Sequence, residues 1–168
     1  MPQLIKDRKI VDDPWLLVKP ASDGVLPAIP HAGDVIVPLS VWQESKQRLL
    51  ERDGRLGLWL DSHEEPAAIA LDLANFAVLA VNFPTHTDGR GYSIARLLRE
   101  RYGYAGELRA IGDVLRDQMF YMHRCGFNAF AVRADKSIEN ALTAFTDFSE
   151  AYQSAVDEPV PLFRRRLQ

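Results

Sequence analysis

A chain of 168 residues, 47% hydrophobic and 26% charged, has the size and composition of one globular domain. Its 20 basic and 23 acidic residues give a net charge of −3, so the broad positive field that nucleic-acid or anionic-membrane binding requires is missing. The single cysteine, Cys125, excludes an internal disulfide and a cysteine-ligated iron–sulfur cluster. We expect it to be a small buried side chain.

The N-terminal residues are charged, and the longest apolar stretch, 76–81, has the length of a strand. Neither a signal peptide nor a transmembrane helix is therefore expected. The sequence predicts a cytoplasmic protein that has no membrane partner.

Residues 1–33 contain short β-rich pieces on either side of a charged turn, which predicts a small antiparallel appendage. From Asp34 onward, β-rich runs alternate with helical periodicity, and five βα units follow up to residue 155. Residues 156–168 form a basic tail. The predicted strands are 35–37, 58–60, 76–81, 108–111 and 129–132, and the helices after them begin near Ser40, Pro66, Ser93, Asp113 and Ser137.

This pattern predicts a single α/β domain with a mostly parallel sheet. Two architectures remain open: an open doubly wound sheet, and a partial β/α barrel that could complete itself as a homodimer. In both, ligands bind at the carboxyl ends of the strands, where loops and helix N-termini converge.

The segment 82–93 is the best candidate site, because it joins a buried strand to a helix N-terminus. Gly89 and Gly91 would let backbone N–H groups approach a ligand, Arg90 offers a guanidinium fork, and Ser93 a hydroxyl, so the segment predicts an anion site. The alternative is a tight βα turn in which Asp88 or Ser93 caps the helix. The spacing matches neither a dinucleotide fingerprint nor a P-loop.

His86 is the predicted general acid or base, since it shares this loop with Arg90. Asp88 and Asp113, each following a strand, are the predicted catalytic carboxylates, and Arg133 is a second candidate for anion binding. His63 ranks behind His86.

No metal site is predicted, because no spacing typical of transition-metal ligands occurs. A magnesium ion held by Asp61, Asp88 and Asp113 is a minor alternative.

Four stretches together resemble a proteobacterial family of unknown function whose members are described as oxidoreductases involved in sulfite reduction. They are residues 87–93, 97–99, 106–118 and 125–130, and the resemblance covers most of residues 30–155. The family's genes lie beside those for assimilatory sulfite reductase. The resemblance therefore implies a place in sulfate assimilation and cysteine biosynthesis, and brings no catalytic residues with it.

Three functions remain open at this stage. The first is an accessory protein of sulfate and sulfite reduction that binds an anionic metabolite or the sulfite reductase. The second is a small-molecule oxidoreductase that uses a non-covalently bound nicotinamide or flavin. The third is a non-catalytic scaffold. Six-electron sulfite reduction needs a cofactor such as siroheme with an iron–sulfur cluster, which a chain with one cysteine cannot hold by itself.

Overall fold

The computed structural model describes residues 1–19 and 27–167. Residues 20–26 of the predicted N-terminal appendage and Gln168 of the predicted tail lie outside the described residues. The strands are β1 (Gln3–Lys6), β2 (Lys9–Asp12), β3 (Leu16–Leu17), β4 (Val35–Pro38), β5 (Leu56–Leu60), β6 (Val78–Phe83), β7 (Glu107–Gly112) and β8 (Ala129–Phe130). The α-helices are α1 (Leu39–Leu50), α2 (Arg90–Arg96), α3 (Arg116–Arg124), α4 (Ile138–Leu142) and α5 (Leu162–Arg165).

All eight strands form one curled sheet in the order β2-β1-β8-β7-β6-β5-β4-β3. Strands β3 to β8 are parallel and follow one another in chain order, while the hairpin of β1 and β2 is antiparallel and pairs with β8. The prediction of a mixed α/β fold with a mostly parallel sheet is confirmed, and the antiparallel hairpin belongs to the same sheet.

The order of the strands explains why the helices lie on one face. A doubly wound sheet requires a point at which the strand order reverses, and β3 to β8 contain none. Successive right-handed crossovers then place every helix on the same side. Accordingly, α1 to α4 all pack into one core with the same set of strand residues. The sheet therefore has the partial-barrel architecture, and the doubly wound alternative is wrong.

The opposite face of the sheet is covered by the segment that leads to β3. Trp15 packs there against Ile36, Val78, Ala80 and Ile111. The indole N–H of Trp59 donates a hydrogen bond to the backbone oxygen of Val18 at 3.0 Å. This segment therefore fills part of the space that the other half of a barrel would occupy.

A buried ion-pair network ties the N-terminal segment to the sheet. The Arg109 guanidinium, whose side chain is 4% exposed, donates to Glu107 and Asp13 at 2.8 and 2.9 Å. Lys6 of β1 contacts the other oxygen of Glu107 at 2.8 Å. A buried guanidinium has to be paired, so Arg109 has a structural role here.

Two predicted helices differ in the structure, one in its type and one in its length. In place of the helix from Pro66 there are two 3₁₀ segments, Pro66–Ile69 and Leu73–Asn75, because Leu71 is fully exposed and leaves too few apolar anchors for a helix. The helix after β8 ends at Leu142 in a 3₁₀ turn instead of extending to residue 152. There Thr143 and Thr146 donate their hydroxyls to backbone carbonyls, which competes with helical hydrogen bonding.

The other comparisons between the predicted and the observed helices concern the residues at which the helices begin. Helix α2 begins at Arg90, three residues before Ser93, because the Asp88 carboxylate accepts the Arg90 backbone N–H. Helix α1 begins directly after Pro38, so Ser40 does not cap it. Asp113 does not cap α3, whose N-cap is Leu115. Helix α4 begins directly after Ser137, close to its predicted start, and Ser137 caps it by accepting the backbone N–H of Asn140 at 3.0 Å.

Candidate functional site

The loops that follow β5, β6, β7 and β8 meet at the carboxyl edge of the sheet. Asn82 of β6 donates to Asp61 of the β5 loop at 3.1 Å. Farther along this edge, Asp113 of the β7 loop contacts both His86 and Arg133. The polar residues that the sequence places after successive strands are thus linked into two neighbouring groups.

The first group, the His86 cluster, consists of His86, Asp113, Arg133 and Asp135. Asp113 Oδ2 accepts the backbone N–H of His86 at 2.8 Å and lies 3.3 Å from its Nδ1. Asp113 Oδ1 accepts from Arg133 at 2.7 Å, and Asp135 accepts from Arg133 at 2.6 and 2.9 Å. These contacts fix the imidazole through Nδ1 and leave Nε2 for a ligand, because a carboxylate on one ring nitrogen sets the role of the other.

Hydrogen bonds favour the charged forms of Asp113 and Arg133. The Arg133 guanidinium, and next the His86 backbone N–H, hold the pKa of Asp113 below its usual range. Asp135, and next Asp113, raise the pKa of Arg133 still further. Arg133 thus donates from three nitrogens to two carboxylates of the same chain, while the imidazole of His86 is 57% exposed.

Gly112 places Asp113 beside His86. Its φ of +91° lies in the region that favours glycine. A Cβ at this position would lie 2.4 Å from the backbone oxygen of Phe83 and 2.5 Å from Oδ1 of Asn82. The absence of a side chain lets the end of β7 pass close to the end of β6, and the Asp113 backbone N–H then donates to Phe83 at 2.8 Å.

Besides the His86 cluster and the Asn82–Asp61 contact, Asp88 and Arg90 form an ion pair in the segment after β6. Asp88 accepts two hydrogen bonds from the Arg90 guanidinium, at 2.9 and 2.6 Å. Arg90, and next the Ser62 hydroxyl, hold the pKa of Asp88 well below its usual range. A carboxylate of the chain therefore occupies the position at the start of α2 where the sequence predicts a bound anion.

The two glycines of the predicted anion loop differ in their surroundings. Gly91 is buried, and a Cβ there would lie 2.6 Å from the ring of Phe83. Gly89 has a φ of −82°, and its Cβ would meet nothing closer than Tyr92 at 3.8 Å. Gly91 has a packing role that does not depend on a ligand, and anion binding by either glycine stays a prediction.

A cavity of about 660 Å³ lies between the loop after β5 and helix α2. We call it the α2 cavity. Arg90 and Ser93, both predicted to bind an anion, line it, and His63 lies on the opposite wall. His86, Asp113 and Arg133 are not among its lining residues, so the predicted catalytic and anion-binding residues divide between two places.

Two lining residues of the α2 cavity were missed as ligand contacts. Arg101 and Tyr102 follow α2, in and after a π-helical turn, Leu97–Arg101. The Arg101 guanidinium lies over the ring of Tyr102, with its carbon 5.7 Å from the ring centroid. The helical spacing of Arg101 from Ile94 and Leu97 was visible in the sequence, but only the structure reveals the wall that faces it.

Other polar groups at this edge do not form a metal site. Within residues 1–19 and 27–167, no three His, Cys, Asp or Glu side chains are placed to hold a metal ion. The magnesium alternative with Asp61, Asp88 and Asp113 therefore has no support.

Burial raises the pKa of Glu64, which accepts the Asp61 backbone N–H at 2.7 Å. Burial is also the main cause of the raised pKa of Cys125.

Comparison with known proteins gives one match. The model of a bacterial family of unknown function, DUF934, matches residues 57–163. The chain belongs to this family. A search of curated proteins and a search of solved structures each found no match.

The DUF934 match contains every residue of the His86 cluster and of the α2 cavity, and excludes β1 to β4 and α1. Both candidate sites are thus in the part of the chain that carries the family pattern. No helix in the described part of the chain is both long and apolar enough to span a bilayer.

Proposed function

We propose that this protein is a cytoplasmic accessory protein of assimilatory sulfate and sulfite reduction, and that it binds an anionic metabolite in the α2 cavity. The pathway is suggested by the resemblance to a family encoded beside sulfite reductase. An accessory role fits a chain whose single cysteine cannot supply the ligands of the reductase's iron–sulfur cluster.

The observation that carries the binding proposal is the lining of the α2 cavity. Its volume of about 660 Å³ is within the range of small-molecule sites, about 300–1,000 Å³. On one wall, Arg90 and Arg101 supply guanidinium groups and Ser93 a hydroxyl. The facing wall includes His63 and the carboxyl groups of Glu64 and Glu65. Guanidinium and hydroxyl donors recognise sulfate, phosphate and carboxylate groups.

The pathway assignment is tested by deleting the gene and growing the strain on sulfate, sulfite or cysteine. We expect the strain to grow on cysteine and to grow poorly on sulfate and sulfite, which places the defect at or after sulfite reduction. Normal growth on all three sulfur sources would contradict the assignment.

Complementation then tests the site. The wild-type gene and the Arg48→Gln variant should restore growth, because Arg48 is exposed on α1, away from the cavity. The Ser93→Trp variant should fail to restore growth, because Ser93 is exposed and a large side chain there fills the cavity without disturbing the core. If the Ser93→Trp strain grows as well as the strain with the wild-type gene, at equal protein levels, the function does not depend on the cavity.

A second candidate function is supported by the contact between His86 and Asp113. A carboxylate that holds the imidazole by Nδ1 suits general acid–base chemistry at Nε2. We propose as the alternative an oxidoreductase in which His86 transfers a proton and a nicotinamide or flavin is bound non-covalently. A rise in the melting temperature with NADPH or a flavin, together with turnover lost in His86→Ala, would favour this alternative.

A further inference from the structure

We infer that the ligand of the α2 cavity is an organic ester of a tetrahedral oxyanion, a phosphate or a sulfate, whose oxyanion is held by Arg101 while its apolar body lies along α2. This inference rests on the proposed function, because it names the chemical class of the metabolite in the same cavity. It excludes a free inorganic anion as the main ligand.

The two arginines of the cavity differ in how much charge they can offer. Arg90 donates from two nitrogens to Asp88, so its positive charge is largely neutralised within the chain. Arg101 forms no ion pair within residues 1–19 and 27–167, and its guanidinium lies over the Tyr102 ring. The carboxyl groups of Glu64 and Glu65 also line the cavity, on the wall that faces the helix. An anionic group therefore gains most at the Arg101 end of the cavity.

The middle of the same wall is apolar. Ile94 of α2 and Leu97 of the π-helical turn after it lie between the two arginines in the chain. The apolar part of the lining is completed by Pro66, Ala67 and Tyr102. Arg90 and Arg101 are about three helical turns, or about 16 Å, apart. A bare sulfate or phosphate ion at Arg101 would leave this surface in water, whereas an ester with an apolar or aromatic body would cover it.

The opposite end of the cavity suits an uncharged polar group. The remaining Arg90 nitrogen and the Ser93 hydroxyl can donate to a hydroxyl or carbonyl oxygen of the ligand body without requiring charge. The helical wall of the cavity thus carries the Arg101 cation, the apolar side chains and the neutral donors in that order, from the π-helical turn back to the start of α2.

Isothermal titration of the whole chain with four probes tests this inference: phenyl phosphate, phenyl sulfate, inorganic phosphate and inorganic sulfate. We expect at least one phenyl ester to bind at least tenfold more tightly than its inorganic anion. Arg101→Gln should weaken ester binding at least tenfold, because it removes a charge-assisted hydrogen bond. Arg48→Gln, which makes the same change of charge on α1, should alter it less than twofold.

Several results would overturn the inference. They are equal affinity for the esters and the inorganic anions, equal effects of Arg101→Gln and Arg48→Gln, and no detectable binding of any probe up to its solubility limit. Inorganic sulfate or phosphate that binds in the cavity independently of Arg101 would refute the ester class and leave anion binding in place. A normal phenotype of the deletion strain would refute the proposed function instead, whatever the probes do.

Discussion

Replacing Gly91 and Gly89 separately by alanine tests whether these glycines serve packing or ligand approach. The sequence treats them alike, as parts of one anion loop. In the structure, a Cβ on Gly91 would lie 2.6 Å from the Phe83 ring, while a Cβ on Gly89 would have no neighbour closer than 3.8 Å. The two substitutions should therefore have different effects on stability.

The size of the Gly91 effect follows from how firmly Phe83 is held. Its ring is fully buried and packs against Tyr92 and Phe127, with ring centroids 5.3 and 5.8 Å apart. Because the ring cannot move away cheaply, Gly91→Ala is an overpacking change that costs about 1–3 kcal/mol. At this chain length the melting temperature should fall by roughly 2–12 °C. Gly89→Ala should change the free energy of unfolding by less than about 0.5 kcal/mol.

Urea denaturation monitored by tryptophan fluorescence measures both variants. The midpoint should fall for Gly91→Ala with an unchanged slope, which indicates a change in stability alone. A Gly91→Ala protein as stable as the wild type would show that the packing argument is wrong. A Gly89→Ala protein less stable than Gly91→Ala would show the same.

Three further predictions concern the ion pairs. Arg109→Ala should lower the free energy of unfolding by about 3–5 kcal/mol, because it removes the guanidinium from the buried Glu107 and leaves it the half-exposed Lys6. Arg116→Ala, which breaks a half-exposed pair with Asp147, should cost less than about 1 kcal/mol in the same urea experiment. Asp113→Asn should speed hydrogen exchange of the His86 backbone amide in NMR, since that amide donates to Asp113; unchanged exchange would contradict the contact. In the wild type, the pKa of Asp113 is lowered mainly by Arg133. The stabilisation that the ionised Asp113 carboxylate gives to the folded state is therefore complete above pH 3.8, the ordinary pKa, and is lost as the pH falls through the lower pKa of the folded state. Protection of the His86 amide should therefore persist at pH 3.8, and its loss at pH 5 would refute the assignment.

The sequence predicts the parallel core well because each strand there carries its own signal. The continuous apolar run that ends in β6 is typical of a strand buried on both faces. The short helix predicted from Pro66 is replaced by 3₁₀ segments, and Leu71 between them is fully exposed. The helix from Ser137 was predicted too long, with Tyr152 on its apolar stripe, and this side chain is exposed in the structure. Periodicity reports a spacing of residues and does not reveal whether a surface exists to cover them.

In the candidate site, too, the sequence predicts which residues share an edge of the sheet and does not predict their side-chain contacts. That Asp113 and His86 lie at one edge of the sheet follows from parallel strand order, which the alternation of elements indicates. That Asp88 neutralises Arg90, and that Arg101 forms no ion pair in the described part of the chain, depends on side-chain geometry. The choice of Arg90 as the main anion ligand followed from its position in the loop, and Arg101 becomes a candidate only when the facing wall of residues 62–67 is in place.

The most direct test of the account is an NMR titration of the ¹⁵N-labelled protein with phenyl phosphate. We predict the largest amide shift changes at the lining residues of the α2 cavity, which lie within 62–67 and 90–102, with small changes at His86, Asp113 and Arg133. Shift changes confined to the His86 cluster, with none along α2, would contradict the α2 cavity as the binding site.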